Sequence, residues 1–358
     1  FHNLYCDSYL STSRIIWKMS TNNKISLTQA QRESLWPINV KFLYTIATAI
    51  ILLIIFPIFN PQAFHIHLMI MIFLYATMSQ SWNVIAGFSG QISLGHVIFF
   101  GIGGYTSSFL FIQYGISPWF GMFLGVIFSM IVAVIIGIPI LRLSGHYFAI
   151  ATLLIGFSFQ TIFQRWDLVG AASGIWIPLK WENSWFNLQF HDSKIPYYYI
   201  FLIFFISIYL FTWILYRSKI GFKLRAVRDD PQAALSLGIS VSKYKIIAFA
   251  ISAGMMSPMG SLFSQYILVI DPDRMFNFEI SIIILLIVVM GGIGNVWGPL
   301  LGTILLIPLS EYSRIYFGGT GGSIDLIVYG LLIMLICIFK PSGLISLIPN
   351  KIMRQNKV

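Results

Sequence analysis

Long apolar runs separated by brief polar breaks dominate this chain. Ten stand out, at about 40–58, 65–87, 91–112, 119–141, 146–165, 197–216, 244–268, 277–291, 297–312 and 324–340. A bilayer core needs about 20 apolar residues in helical form, and most of these runs approach that length. An outer-membrane barrel would instead show alternating segments of about ten residues. The pattern therefore predicts an all-α, polytopic helical membrane bundle with eight to ten transmembrane helices. The range reflects the runs at 277–291 and 297–312, which are short and are read as broken or re-entrant.

Three finer patterns lie inside the runs. Gly121, Gly125, Ser129, Ala133 and Gly137 recur every fourth residue. That spacing puts them on one helix face, a strip of small residues for close approach to a neighbour. A second pattern is Gly90-Gln91-Ile92-Ser93-Leu94-Gly95-His96, polar and glycine-containing at the edge of an apolar run. Such backbone is tolerated at membrane depth only where protein packs around it or it lines a cavity. It is read as opening a helix beside a substrate path, with a tight interfacial turn as the other reading. The third is Gly291-Gly292-Ile293-Gly294-Asn295-Val296-Trp297-Gly298-Pro299, which also leads into apolar helix. Glycine-interrupted segments in corresponding places of two halves point to a central transport site and an internal pseudo-repeat. Helix N-termini there would offer N–H groups and partial positive charge to a carboxylate.

Composition agrees with the pattern. Of 358 residues 57% are hydrophobic and 9% charged, where a soluble domain carries about a quarter charged. The net charge of +10 flanks apolar spans, so it points to membrane topology and not to nucleic acid. The loop at 217–245 carries Arg217, Lys219, Lys223, Arg225, Arg228, Lys243 and Lys245 against Asp229 and Asp230. The excess of lysine and arginine on inward loops places it in the cytoplasm. With ten spans both termini fall there too, as Lys340, Lys351, Arg354 and Lys357 and the turn residue Arg142 agree. The tryptophan-rich segment 166–195 is then expected to face outward. Three regions result: a polar N-terminal segment 1–39, a transmembrane domain 40–340 with a cytoplasmic coupling loop 217–243, and a basic cytoplasmic tail 341–358. Residues 1–18 precede Met19 and are expected to lie outside the working protein. No signal peptide is expected, because no short apolar core with a small-residue cleavage site comes first.

Candidate chemistry is sparse. Cys6 and Cys337 lie at opposite ends and suggest neither a disulfide framework nor a metal pair. There is no GxxxxGK[ST] loop, so ATP is not expected to bind this chain by that device. His65 and His67 are too close in sequence to share a helix face and are read as interfacial. His96 is read either as a helix histidine bonded to a neighbour or as a group lining the path; Glu279 is the other ionisable candidate. In the cytoplasmic loop, Asp229 or Asp230 is expected to cap a short helix beginning at Pro231 and ended by Gly238. Such a helix suits docking to a partner, or else holds the loop on anionic headgroups. An integral membrane enzyme would need clustered His, Asp or Cys near one face, and an ion-coupled secondary transporter would need intramembrane charges beyond His96 and Glu279.

Gln232-Ala233-Ala234-x-x-x-Gly238 resembles the EAA loop of ABC importer membrane subunits, with Gln232 where Glu is usual. The Gly90–His96 stretch, Phe100-Gly101-Ile102-Gly103-Gly104-Tyr105, Leu141 to Leu153 and the Gly291–Gly302 run resemble the LivM-type branched-chain amino acid permease family, over roughly 65–340. The resemblance implies a heteromeric importer of the bacterial plasma membrane. It would comprise two related permease subunits, two cytoplasmic ATPases that hold ATP and Mg²⁺, and an extracytoplasmic binding protein. It implies no catalysis and no cofactor on this chain. Family substrates are leucine, isoleucine and valine, with relatives carrying urea or amides. The substrate path would then involve Gly90, Gln91, Ser93, Gly95, His96, Tyr147, Glu279, Gly291, Gly292 and Gly294. ATPase coupling would involve Arg225, Arg228, Asp229, Gln232, Ala233, Ala234 and Gly238. Two departures mark the chain. Leu168 to Gly174 stands where the family carries a T-G-G-like segment, and Ile283 where an acidic residue is frequent. Glu279, one turn earlier on the same face, is the candidate substitute.

Overall fold

The computed structural model describes residues 40–59, 62–143, 145–178, 184–190, 192–317, 330 and 343–347. The polar segment 1–39, the run at 324–340 apart from Gly330, and the tail beyond 347 lie outside the described residues, as do Trp181 and both cysteines. Residues 40–59 belong to one compact unit and residues 62–347 to another. In the first, helix α1 (Val40–Ile55) runs into a 3₁₀ turn, Phe56–Phe59.

The larger unit is a helical bundle. Its elements are α2 (Ala63–Asn83), α3 (Val97–Tyr114), α4 (Pro118–Ile140), α5 (His146–Arg165), α6 (Ile195–Arg217), α7 (Lys219–Asp229), α8 (Pro231–Ser236), α9 (Val241–Ile267), α10 (Pro272–Met275), α11 (Phe278–Gly291) and α12 (Gly298–Phe317). A strand pair, β1 (Ile175–Trp176) antiparallel to β2 (Val269–Ile270), ties the α5–α6 loop to the α9–α10 loop, so these loops share one end of the bundle. Trp166, Trp176 and Trp185 at that end are exposed. Among the described residues seven helical segments are long and apolar enough to cross a membrane, which makes this a polytopic helical membrane protein.

Helix α9 is the hub, packed against α2, α3 and α4. The small-residue strip on α4 explains how. All of Gly121, Gly125, Ser129, Ala133 and Gly137 are buried, while Phe120, Phe123, Ile127, Phe128, Ile131 and Ile135 on the other faces are exposed. A Cβ at Gly121 would lie 2.8 Å from the Ser107 Cα of α3, and one at Gly125 would lie 3.2 Å from the Ser257 hydroxyl of α9. The expected strip is thus a three-helix contact line, with the large apolar side chains left for lipid.

The expectation that the Gly90 stretch opens a helix is corrected. Helix α2 runs through a π turn, Val84–Phe88, and Gly90 follows at its end with φ 73°. Residues 90–96 are non-helical, and α3 begins only after His96. The reason is where the chain goes. Leu94 N–H donates to Thr152 Oγ1 on α5, and His96 bonds Ser252 on α9. At 1.5 Å per residue, these partners sit about 9 Å and 16 Å inside the starts of their helices. The segment is an extended lead-in to α3 that climbs into the bundle, with Leu94 N–H and His96 Nε2 met by side chains of neighbouring helices.

Candidate site at the two glycine-rich breaks

The extended segment is held at successive points. Trp82 Nε1–H donates to the Ser93 carbonyl at 2.7 Å. A Cβ at Gly95 would collide with the Thr152 carbonyl, so only glycine admits this approach to α5. At the top, His96 is fully buried. Ser252 Oγ donates to the Ser81 carbonyl at 2.6 Å, so its single proton is spent there. The 2.8 Å contact to His96 Nε2 must then carry the imidazole proton toward the serine. Ser81 Oγ returns a bond to the Ser252 carbonyl at 2.7 Å, locking α2 to α9. The His96 Nδ1 is left as a buried acceptor with no hydrogen-bond partner among the described residues, and the hydroxyl of Ser93 and the Oε1 of Gln91 are likewise unpartnered. Buried polar atoms are seldom left so, and Ser79, Gln80, Tyr105, Ser257 and Gln265 within the bundle carry others. Next to His96, Val97 N–H donates to Ser281 Oγ, which brings the first turn of α3 beside the first turn of α11.

The second break is bonded to the end of α2, just ahead of the first. Asn83 Oδ1 accepts from Gly294 N–H at 2.9 Å, and Asn83 Nδ2 donates to the Asn295 carbonyl at 2.9 Å. A Cβ at Gly87, one turn on from Asn83, would lie 2.6 Å from Gly294 N. Gly294 itself has φ 80°, and Gly291 and Gly298 face each other across the hairpin between α11 and α12. The hairpin break therefore packs against the turn of α2 that leads into the Gly90 stretch.

The charged loop completes the site. Asp230, of the two candidates, is the cap: its Oδ1 accepts from Gln232 and Ala233 N–H at 2.8 and 3.1 Å. Pro231 is the first residue of α8, and Gly238 follows its end with φ 78°. Ala234 is buried; Gln232, Ala233, Asp229 and Gly238 are exposed. Arg225 is half-buried, and Arg228, though exposed to solvent along one side, reaches the end of α2. Arg225 donates to the Tyr216 carbonyl at 3.2 Å and lies over its ring, which in turn contacts Phe88 of the π turn. Arg228 Nη1–H donates to the Gly87 carbonyl at 2.8 Å.

The other expected path residues are placed differently. Tyr147 is 72% exposed at the start of α5, and Glu279 is exposed in the first turn of α11, where its N–H is capped by Asn277. Gly291 and Gly292 are buried, with Gly343 packed against them. Asn83, Ser81 and Ser252 escaped sequence reading. A lone amide one turn before the glycine of a break was the available signal for Asn83.

The chain matches, over residues 64–337, the family described as branched-chain amino acid transport system / permease component. It is 29% identical to the high-affinity branched-chain amino acid transport system permease protein LivM of Salmonella typhimurium, covering 77% of this chain and 69% of that one. Against LivM of Escherichia coli it is 28% identical over 79% of this chain and 70% of the relative. The permease protein LivH of Salmonella typhimurium is 23% identical over 76% of this chain and 91% of its own length. No solved structure matches. With the match running from the first turn of α2 to well beyond α12, this chain belongs to the branched-chain amino acid transport permease family.

Proposed function

We propose that this permease subunit works within an ATP-binding cassette importer of the bacterial plasma membrane, carrying branched-chain or related amino acids. A second related permease, two cytoplasmic ATPases and an extracytoplasmic binding protein complete the machine. ATP and Mg²⁺ belong to the ATPases. The loop 217–243 and both termini face the cytoplasm, and the tryptophan-rich end faces out.

One observation carries this reading. Helix α8 and the residue that caps its end project Leu235 and Leu237, 51% and 79% exposed, from the most cationic loop of the chain. Exposed leucines on a capped, rigid turn outside the apolar spans suit a protein partner better than water. The LivM and LivH relatives in Salmonella typhimurium support the pairing, since both are named permease proteins of a high-affinity branched-chain amino acid transport system.

The test is reconstitution. The complex that co-purifies with the tagged chain should take up radiolabelled leucine into liposomes only with ATP and binding protein supplied. Ala233→Glu and Leu237→Asp should strip the ATPase from the complex. Uptake by the chain alone on a sodium or proton gradient would overturn the proposal.

A further inference from the structure

We propose that Arg228 is the positioning residue through which movement of the docking helix α8 reaches both glycine-rich breaks. The inference rests on the coupling role of the loop and adds to it the route by which the coupling travels.

Arg228 stands in the last turn of α7, and there is no slack between it and α8. The residue that caps the end of α7, Asp230, is the residue that caps the start of α8. A displacement of α8 therefore carries α7 with it. The guanidinium is fixed from both sides. Its Nε–H and Nη2–H donate to Asp229 Oδ1 at 2.9 and 2.7 Å, while Nη1–H donates to the Gly87 carbonyl at 2.8 Å. That carbonyl belongs to the last turn of the α2 segment, where orphan carbonyls and the negative helix end favour a cation.

The same side chain touches both breaks. A Cβ at Gly90 would lie 3.1 Å from Arg228 Cγ, and a Cβ at Gly294 would lie 2.6 Å from Arg228 Nη1. Arg228 thus fills the space that two glycines leave open, between the start of the extended segment and the tip of the α11–α12 hairpin. The second break is already clamped to the end of α2 by Asn83. A short capped loop, a forked cation, the end of α2 and the hairpin clamped to it form a contiguous chain of contacts, the kind of packed element that switches between discrete arrangements. The fork matters: the three bonds use three separate nitrogens, whereas the donors of lysine all radiate from one.

The experiment uses the complex that co-purifies with the tagged chain, with Cys6 and Cys337 replaced by serine and Ile293→Cys added as a reporter. Ile293 is 48% exposed at the tip of the second break. Three quantities are read: ATP hydrolysis, ATP-driven leucine uptake in liposomes, and the maleimide labelling rate of the reporter with and without ATP and vanadate. Arg228→Ala and Arg228→Lys should keep the ATPase bound and hydrolysing, lower the uptake per ATP about tenfold, and abolish the nucleotide response of the reporter. A variant with parental uptake per ATP, or with the nucleotide response intact, overturns the inference. Should both substitutions prevent assembly, Asp229→Ala decides, because it removes the oxygen that takes both bonds and leaves the cation; full coupling in that variant also overturns it. Failure of the docking reading is separate: there, Ala233→Glu leaves the ATPase bound, or no ATPase binds the parent complex.

Discussion

Asn83 holds Gly294 by its backbone: its Oδ1 accepts from the glycine N–H at 2.9 Å across 211 residues of sequence. Its other arm donates to the Asn295 carbonyl. Asn83→Ala should therefore lower the thermal stability of the detergent-solubilised protein, since leaving a buried donor unmet costs about 1–3 kcal/mol. Asn83→Asp keeps the acceptor and loses the donor. It should be no better than alanine in a thermal unfolding series, and a parental midpoint for either variant would refute the clamp.

Much of this arrangement was legible in the sequence, for physical reasons. Period-four small residues can do little on a lipid-facing helix except pack, so the α4 strip was readable before any coordinates. The α8 helix was readable from Asp230, Pro231 and Gly238, because caps and stops are local. What local chemistry does not contain is partner choice. Arg228 looked like one more cation of a docking loop, and its engagement with Gly87 depends on the return of α7 beneath the end of α2. The start of α3 was misplaced for a related reason. Leu94 and Ser93 find their hydrogen bonds on Thr152 and Trp82, so the backbone is not driven into helix there.

His96 separates two roles that sequence left open. Its Nε2 serves packing through Ser252, while its Nδ1 is unpartnered. His96→Gln preserves a side-chain donor toward Ser252 and should retain assembly. His96→Ala, which removes it, should be less stable by about 1–3 kcal/mol. Both variants should change the kinetics of leucine uptake, because both lose the free ring nitrogen. Parental kinetics in both would return His96 to a purely structural role.

Capping of α8 gives a graded test of docking. Asp230→Ala removes the acceptor for Gln232 and Ala233 N–H, at a cost of about 0.5–2 kcal/mol for a lost N-cap. Asp230→Ser restores an acceptor. ATPase recovered on the tagged chain should fall for alanine and return for serine. Equal recovery for the three would mean that the order of α8 does not matter to the partner.

The α4 strip predicts opposite outcomes at neighbouring positions. Gly125→Leu drives a side chain into Gly103 and Ser257, whose atoms lie 3.3 and 3.2 Å from even a single added carbon. Overpacking of this kind costs about 1–3 kcal/mol. Phe128→Leu, on the 50% exposed side of the same helix, meets no such contact and should leave stability within about 0.5 kcal/mol. The pair is checked by heating the solubilised protein and following the monodisperse fraction on size exclusion. If both substitutions behave alike, α4 does not pack through its small residues, and the three-helix line of α3, α4 and α9 is wrong.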